Sequence, residues 1–158
     1  MDEEFETECL KEKQITKKPG AVEIKEARDK ELRYKSLLAN SDYFLEGAKL
    51  ILGTNVAYLA ITLGFFAMEH AANALIAKQG YLIKNHECTQ MFLSKLLNRK
   101  DLAADLSKAY QMRIAFNYRF NLEEKEDKSD AERFVNEAVV PFIQEIDKLF
   151  EKGESKED

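Results

Sequence analysis

Apolar side chains along this chain recur in steps of three and four rather than in alternation, and that spacing predicts helices throughout. Over residues 23–52, Tyr34, Leu37, Leu38, Leu45, Ala48, Ile51 and Leu52 fall on one face of a long first helix. Gly53-Thr54-Asn55 then supplies a stop and N-cap candidates, and a second helix over 55–79 is apolar nearly all round, with Gly80 as its end. No charged residue lies between Lys49 and Glu69, but the uninterrupted run Val56 to Met68 is shorter than the roughly 20 residues a bilayer requires, so the second helix reads as a buried central one. A short amphipathic segment over 86–97 groups Met91, Phe92 and Leu96. Asp101 is placed to cap a third long helix carrying Leu102, Leu106, Ala109, Tyr110, Arg113, Asn117 and Phe120. After a charged loop over 123–128, Phe134, Ala138, Phe142, Ile146 and Leu149 mark a final helix from about 130 to 150, with Pro141 expected to kink it. No segment has the period of a strand. The expected fold is all-α, an antiparallel bundle of four long helices plus one short helix.

Residues 1–22 read as a charged, flexible N-terminal extension closing on Lys17-Lys18-Pro19-Gly20, residues 23–152 as the bundle, and residues 153–158 as a charged tail. A chain of 158 residues that is 45% hydrophobic has the side chains for one core and not for two. A surrounded second helix in so small a bundle calls for neighbours on several flanks or for a second copy, so a homodimer is expected. Cys9 and Cys88 form neither a metal spacing nor a disulfide framework, which fits a reducing interior. The first residues are acidic where a signal peptide is basic, so the expected location is cytoplasmic, with no membrane partner.

The net charge of −5 excludes general coating of a polyanion, so any nucleic-acid contact has to be local. Six basic residues between Lys95 and Arg119 face only Asp101 and Asp105, a local charge of +4 interleaved with Tyr110, Phe116 and Tyr118. Cations with aromatic rings between them are what single-stranded nucleic-acid sites use, although a solvated helix face has the same composition. Arg113 sharpens the question, because an arginine among Leu106, Tyr110, Asn117 and Phe120 is paired, snorkels, or lines a cleft. The structural alternative is an arginine bridging helices through Glu69. No phosphate loop, nucleophile elbow or zinc motif is present. The two histidines, His70 and His86, lack the spacing of a metal site, and His86 after Asn85 reads as a helix start; neither metal nor cofactor is expected.

The second helix, Phe65-Phe66-Ala67-Met68-Glu69-His70-Ala71-Ala72-Asn73-Ala74-Leu75 closing on Lys78-Gln79-Gly80, resembles the small-residue helix of HEPN domains, in particular the small stand-alone prokaryotic members. His86 stands where a histidine commonly opens the next segment of that family, ahead of the aromatic Phe92. Arg113-Ile114-Ala115-Phe116-Asn117-Tyr118 is similar to the Arg-x-x-x-Asp-Tyr signature of one branch, and the likeness runs from about residue 32 to 150. The resemblance implies a dimeric HEPN-like bundle whose arginine helices form a cleft, here of Arg113, Asn117, Tyr118, Tyr110, Glu69 and His70. It also implies a metal-independent ribonuclease or toxin acting on RNA or a nucleotide beside a nucleotidyltransferase-fold antitoxin. The family's nuclease motif, an arginine followed four to six residues later by histidine, is not intact: Tyr118 holds the histidine spacing and Asn117 replaces the aspartate. A phenol with a pKa near 10 is a poor general base at neutrality, so weak or absent cleavage is expected. The alternative is a non-catalytic, homodimeric protein-interaction module.

Overall fold

The computed structural model describes residues 2–11, 18–117 and 128–154. Its described elements are a short helix α1 (Glu3–Phe5) running into a wide π turn (Glu6–Leu10), strand β1 (Ala21–Glu23), helix α2 (Ala27–Ile51), helix α3 (Leu59–Lys78) and strand β2 (Tyr81–Ile83). There follow α4 (His86–Met91) with a π turn (Phe92–Leu96), α5 (Lys100–Asn117), α6 (Lys128–Phe134), a π stretch (Val135–Val139) and α7 (Val140–Glu154). With α6 and α7 forming one rod, the architecture is the expected all-α bundle, with four long helical segments among the described residues, the short α4 between the second and third of them, and the short α1 ahead of the first.

The central helix is α3. Ala60, Ile61, Phe65, Ala67, Met68, Ala71, Ala72 and Leu75 are buried in the main core with Leu93, Leu102, Leu106, Phe134, Val139, Phe142 and Ile146. Small residues let its neighbours approach. Ser41 on α2 donates to the Ala67 carbonyl at 2.8 Å, and a Cβ on Gly64 would lie 2.8 Å from Val139 and 2.9 Å from Phe134. Although α3 is long and apolar enough to cross a membrane, 61% of its most apolar window is buried inside the fold, as a core helix requires. The same burial answers one of the two grounds on which a homodimer was expected, since α2, α5 and the C-terminal rod pack around α3 within one chain; the family resemblance is the other.

Several expectations are corrected in detail. β1 and β2 form an antiparallel ladder, Ala21 opposite Ile83 and Glu23 opposite Tyr81, where no strand was foreseen; three-residue strands are too short to carry a period. Gly80, at φ +99, ends α3 and turns the chain into β2. Asp101 is not the cap of α5 but sits in its first turn. The rod continues past Pro141; the π stretch before it widens the helix where proline lacks an N–H and crowds the carbonyl four residues back.

The N-terminal residues expected to be a flexible extension are docked where they are described. Asp2 caps α1 by accepting from the Glu4 and Phe5 amides, and Phe5 and Cys9, four residues apart, share one face. Phe5 is fully buried, edge-on to Tyr81 and Phe92 at 5.9 and 5.4 Å, in a second core with Cys9, Ala21, Ile76, Cys88 and Phe92. Cys9 and Cys88 are joined as a disulfide, which corrects the expectation of unpaired thiols. They are 79 residues apart in sequence, and only the docking of α1 brings them together.

Candidate anion site on α5

The basic segment expected between Lys95 and Arg119 divides, once folded, into paired and unpaired cations. Lys95 reaches Glu4 at 2.6 Å. Arg99 donates from Nε to Asp101 at 2.9 Å and from Nη2 at 2.7 Å, and Nη2 also reaches Glu145 on α7 at 3.2 Å. This fork pulls the Asp101 carboxyl down to about 2, with the Arg99 hydrogen bonds as the main cause, and raises the Arg99 guanidinium. Lys148 and then Arg99 lower Glu145 in the same way.

Arg113, fourteen residues further on, is held differently. Phe65 and Phe66 on α3 and Tyr110 one turn earlier on α5 surround its guanidinium, whose carbon lies 5.0, 5.2 and 5.6 Å from their ring centroids. Nε is buried without a hydrogen-bond partner, and among the described residues Arg113 makes no ion pair. Stacking on ring faces satisfies part of a cation's electrostatics and leaves its N–H edges free for an anion. The expected alternative, a bridge from Arg113 to Glu69, is not what Glu69 makes.

Glu69 turns instead to His86, with Oε1 3.5 Å from Nδ1, an atom that is itself buried without a hydrogen bond. Asn85 accepts from the Cys88 amide at 2.9 Å, capping α4 and fixing His86 in its first turn against α3. The His86 ring stacks on Tyr110 at 4.0 Å and 25°, meets Phe65 edge-on at 5.6 Å, and has the Gln90 side chain at Nε2. Tyr110 and Phe65 therefore link the histidine–glutamate pair to the arginine. Sequence reasoning left His86 as a helix start, which it is. The one signal of more was the short link from Gly80 to Asn85, which obliges α4 to fold back beside Glu69.

Of the other expected residues, His70 turns away: its Nδ1 is 2.8 Å from the Phe66 carbonyl of the preceding turn and its ring lies 5.0 Å from Phe44. Asn117 is exposed and accepts from Thr62 at 3.4 Å, at the far edge of the cluster. Tyr118 lies outside the described residues, as do Arg119 and Phe120. No group of three or more His, Cys, Asp or Glu suited to a metal occurs among the described residues.

The HEPN domain family model matches residues 34–146, most of the chain and every residue of the cluster. The chain belongs to the HEPN family. No curated protein and no solved structure matches it. Membership accounts for the all-α bundle and supports a nucleotide- or RNA-related module at the level of the family. Within this HEPN domain, α3, α4 and α5 supply the cluster, whereas the docked α1, β1 and Cys9 precede the matched span.

Proposed function

We propose that this HEPN domain binds the phosphate of RNA or of a nucleotide at Arg113. The observation that carries the reading is that Arg113 is stacked on three aromatic rings with no carboxylate partner among the described residues, while Arg99, just ahead of the same helix, is fully engaged. An arginine placed only for stability is expected to be paired; one kept free but pre-oriented by its neighbours is suited to a ligand anion. Tyr110 and His86, stacked on each other beside Arg113, hold that surface in place.

Ribonuclease activity is weak or absent on this reading. Tyr118 occupies the histidine spacing, and His86, stacked on the Tyr110 that also touches Arg113, is turned toward Glu69 and Gln90 rather than open to a ribose hydroxyl. A toxin-like role beside a nucleotidyltransferase-fold partner fits the same surface, with Arg113 as the group such a partner would modify around or mask. The rival reading, a non-catalytic homodimeric interaction module, draws on apolar residues exposed on α2.

Titration of fluorescent single-stranded RNA and of nucleotides in chelator tests the assignment. Arg113→Met keeps the stem and removes the charge, and it should weaken binding about 10- to 100-fold, the worth of a charge-assisted hydrogen bond. Equal affinity of the variant and the parent rejects Arg113 as the site. Tyr118→His, which restores the nuclease spacing, should gain RNA cleavage that the parent lacks; strong cleavage by the parent refutes the missing-base argument.

A further inference from the structure

The docked N-terminal arm, residues 2–11, has few ties of its own to the bundle. Of its ten residues only Phe5 and Cys9 are buried, with Leu10 half-buried beside them. Its described backbone hydrogen bonds, such as those from the Glu6 amide to the Asp2 carbonyl and from Lys11 to Glu6, stay within the arm. Beyond its packing, the arm meets the bundle through an exposed ion pair, Glu4 with Lys95 at 2.6 Å, and through the disulfide from Cys9 to Cys88. A three-residue helix continued by one π turn is far below the length at which a helix stands alone. One buried ring and one exposed pair do not offset the entropy of ordering ten residues, so the covalent bond is what keeps the arm in place.

At its other end the bond holds the part of α4 that serves the anion cluster. Cys88 stands two residues after His86 in the first turn of α4, and its amide donates to the Asn85 cap. Gly20 closes over the same spot, since a Cβ there would lie 2.4 Å from Asn85 Nδ2 and 2.5 Å from Cys88 Sγ. Phe92, one turn after Cys88, carries the Phe5 ring. Arm, disulfide and Gly20 thus clamp the start of α4, where His86 is stacked on the Tyr110 that touches Arg113. We propose that the Cys9–Cys88 disulfide is a thiol-operated latch: a dithiol reductant opens it, the arm leaves, and the loosened start of α4 withdraws His86 from Tyr110 and weakens anion binding at Arg113. The effect at Arg113 rests on the anion-site reading, whereas the opening of the latch does not. The exchange balances in two steps. A thiolate of the reductant attacks one sulfur, forming a mixed disulfide and expelling the other cysteine as a thiolate. The reductant's second thiolate then displaces the remaining cysteine and closes the reductant into its own disulfide; two electrons pass to the protein, and both cysteines take up protons. With both sulfurs buried, attack waits on a brief undocking of the arm, an opening open to so small a unit.

Hydrogen exchange and thiol alkylation of the full chain, oxidised and then treated with dithiothreitol under native conditions, test the latch, with circular dichroism to confirm that the bundle stays folded. After reduction both cysteines should alkylate, the amides of residues 5–10 should exchange about 100-fold faster and those of α4 about tenfold faster, while α3 is unchanged. Cys9→Ser should behave as the reduced parent with or without reductant. Affinity for single-stranded RNA or a nucleotide should fall about 3- to 10-fold on reduction, and His86→Ala should be weakened already and indifferent to reductant. A disulfide that dithiothreitol leaves intact in the folded protein, or a reduced chain whose residues 5–10 exchange as slowly as before, overturns the latch. A released arm with unchanged affinity overturns its link to Arg113. If the oxidised parent binds neither RNA nor nucleotide, the anion-site reading has failed, and the exchange rates of the arm and of α4 still decide whether the disulfide holds them.

Discussion

The two ends of α5 hold their arginines by opposite means. At the N-terminal end Arg99 is gripped by Asp101 and Glu145, so its charge is spent joining α5 to α7. Fourteen residues on, Arg113 rests on Phe65, Phe66 and Tyr110, with a buried Nε that has no acceptor. One helix and one residue type thus yield a fixed strut and an available cation. The difference lies in the neighbours at each end: α7 adds the Glu145 carboxylate to Asp101, whereas α3 adds the Phe65 and Phe66 rings to Tyr110. Removing each support should accordingly give different failures.

The largest effect is expected at Phe65. It is buried in the main core and touches Arg113, Tyr110 and His86, so Phe65→Ala should cost about 3–5 kcal/mol in chemical denaturation, as large-to-small core changes do. A loss below about 1 kcal/mol would mean that the aromatic support of Arg113 is not packed as described. Next comes Arg99→Ala, which breaks a partly exposed fork worth up to about 1 kcal/mol. For a chain of this size the melting temperature should fall by about 2–4 °C. RNA binding should be untouched; if binding falls with it, the division between strut and available cation is wrong.

The smallest effect is a pH dependence confined to acid. Asp101 is held near 2, below the ordinary carboxylate value of about 3.9, so its contribution is present above about pH 4 and is lost as pH falls toward 2. Urea midpoints of the parent and of Asp101→Asn should differ by a constant amount from neutrality down to about pH 4, and the gap should close by about pH 2. A gap that instead opens on acidification would contradict the depressed carboxyl. Glu145, also lowered, fades in the same direction and should sharpen the parent's own acid transition.

Periodicity by itself determined the helices, because a 3.6-residue repeat is a local property that a stretch such as Tyr34 to Leu52 carries whatever surrounds it. It also marked Arg113, since a guanidinium on an apolar stripe is visible without knowing its neighbours. The resemblance through the α3 and α5 motifs located the family for the same reason. What the tertiary structure alone decided is who meets whom. His86 joined the cluster because the turn at Gly80 and the cap at Asn85 fold α4 back onto Glu69, and His70 left it because its ring bonds to its own helix. Phe5 and Cys9 looked like parts of a charged tail, since four-residue spacing in so short a segment cannot announce a face until α4 and β2 supply the surface it covers. Local spacing can specify that a face exists; only the closure of long loops, whose entropy is set by the whole chain, selects which face lies opposite.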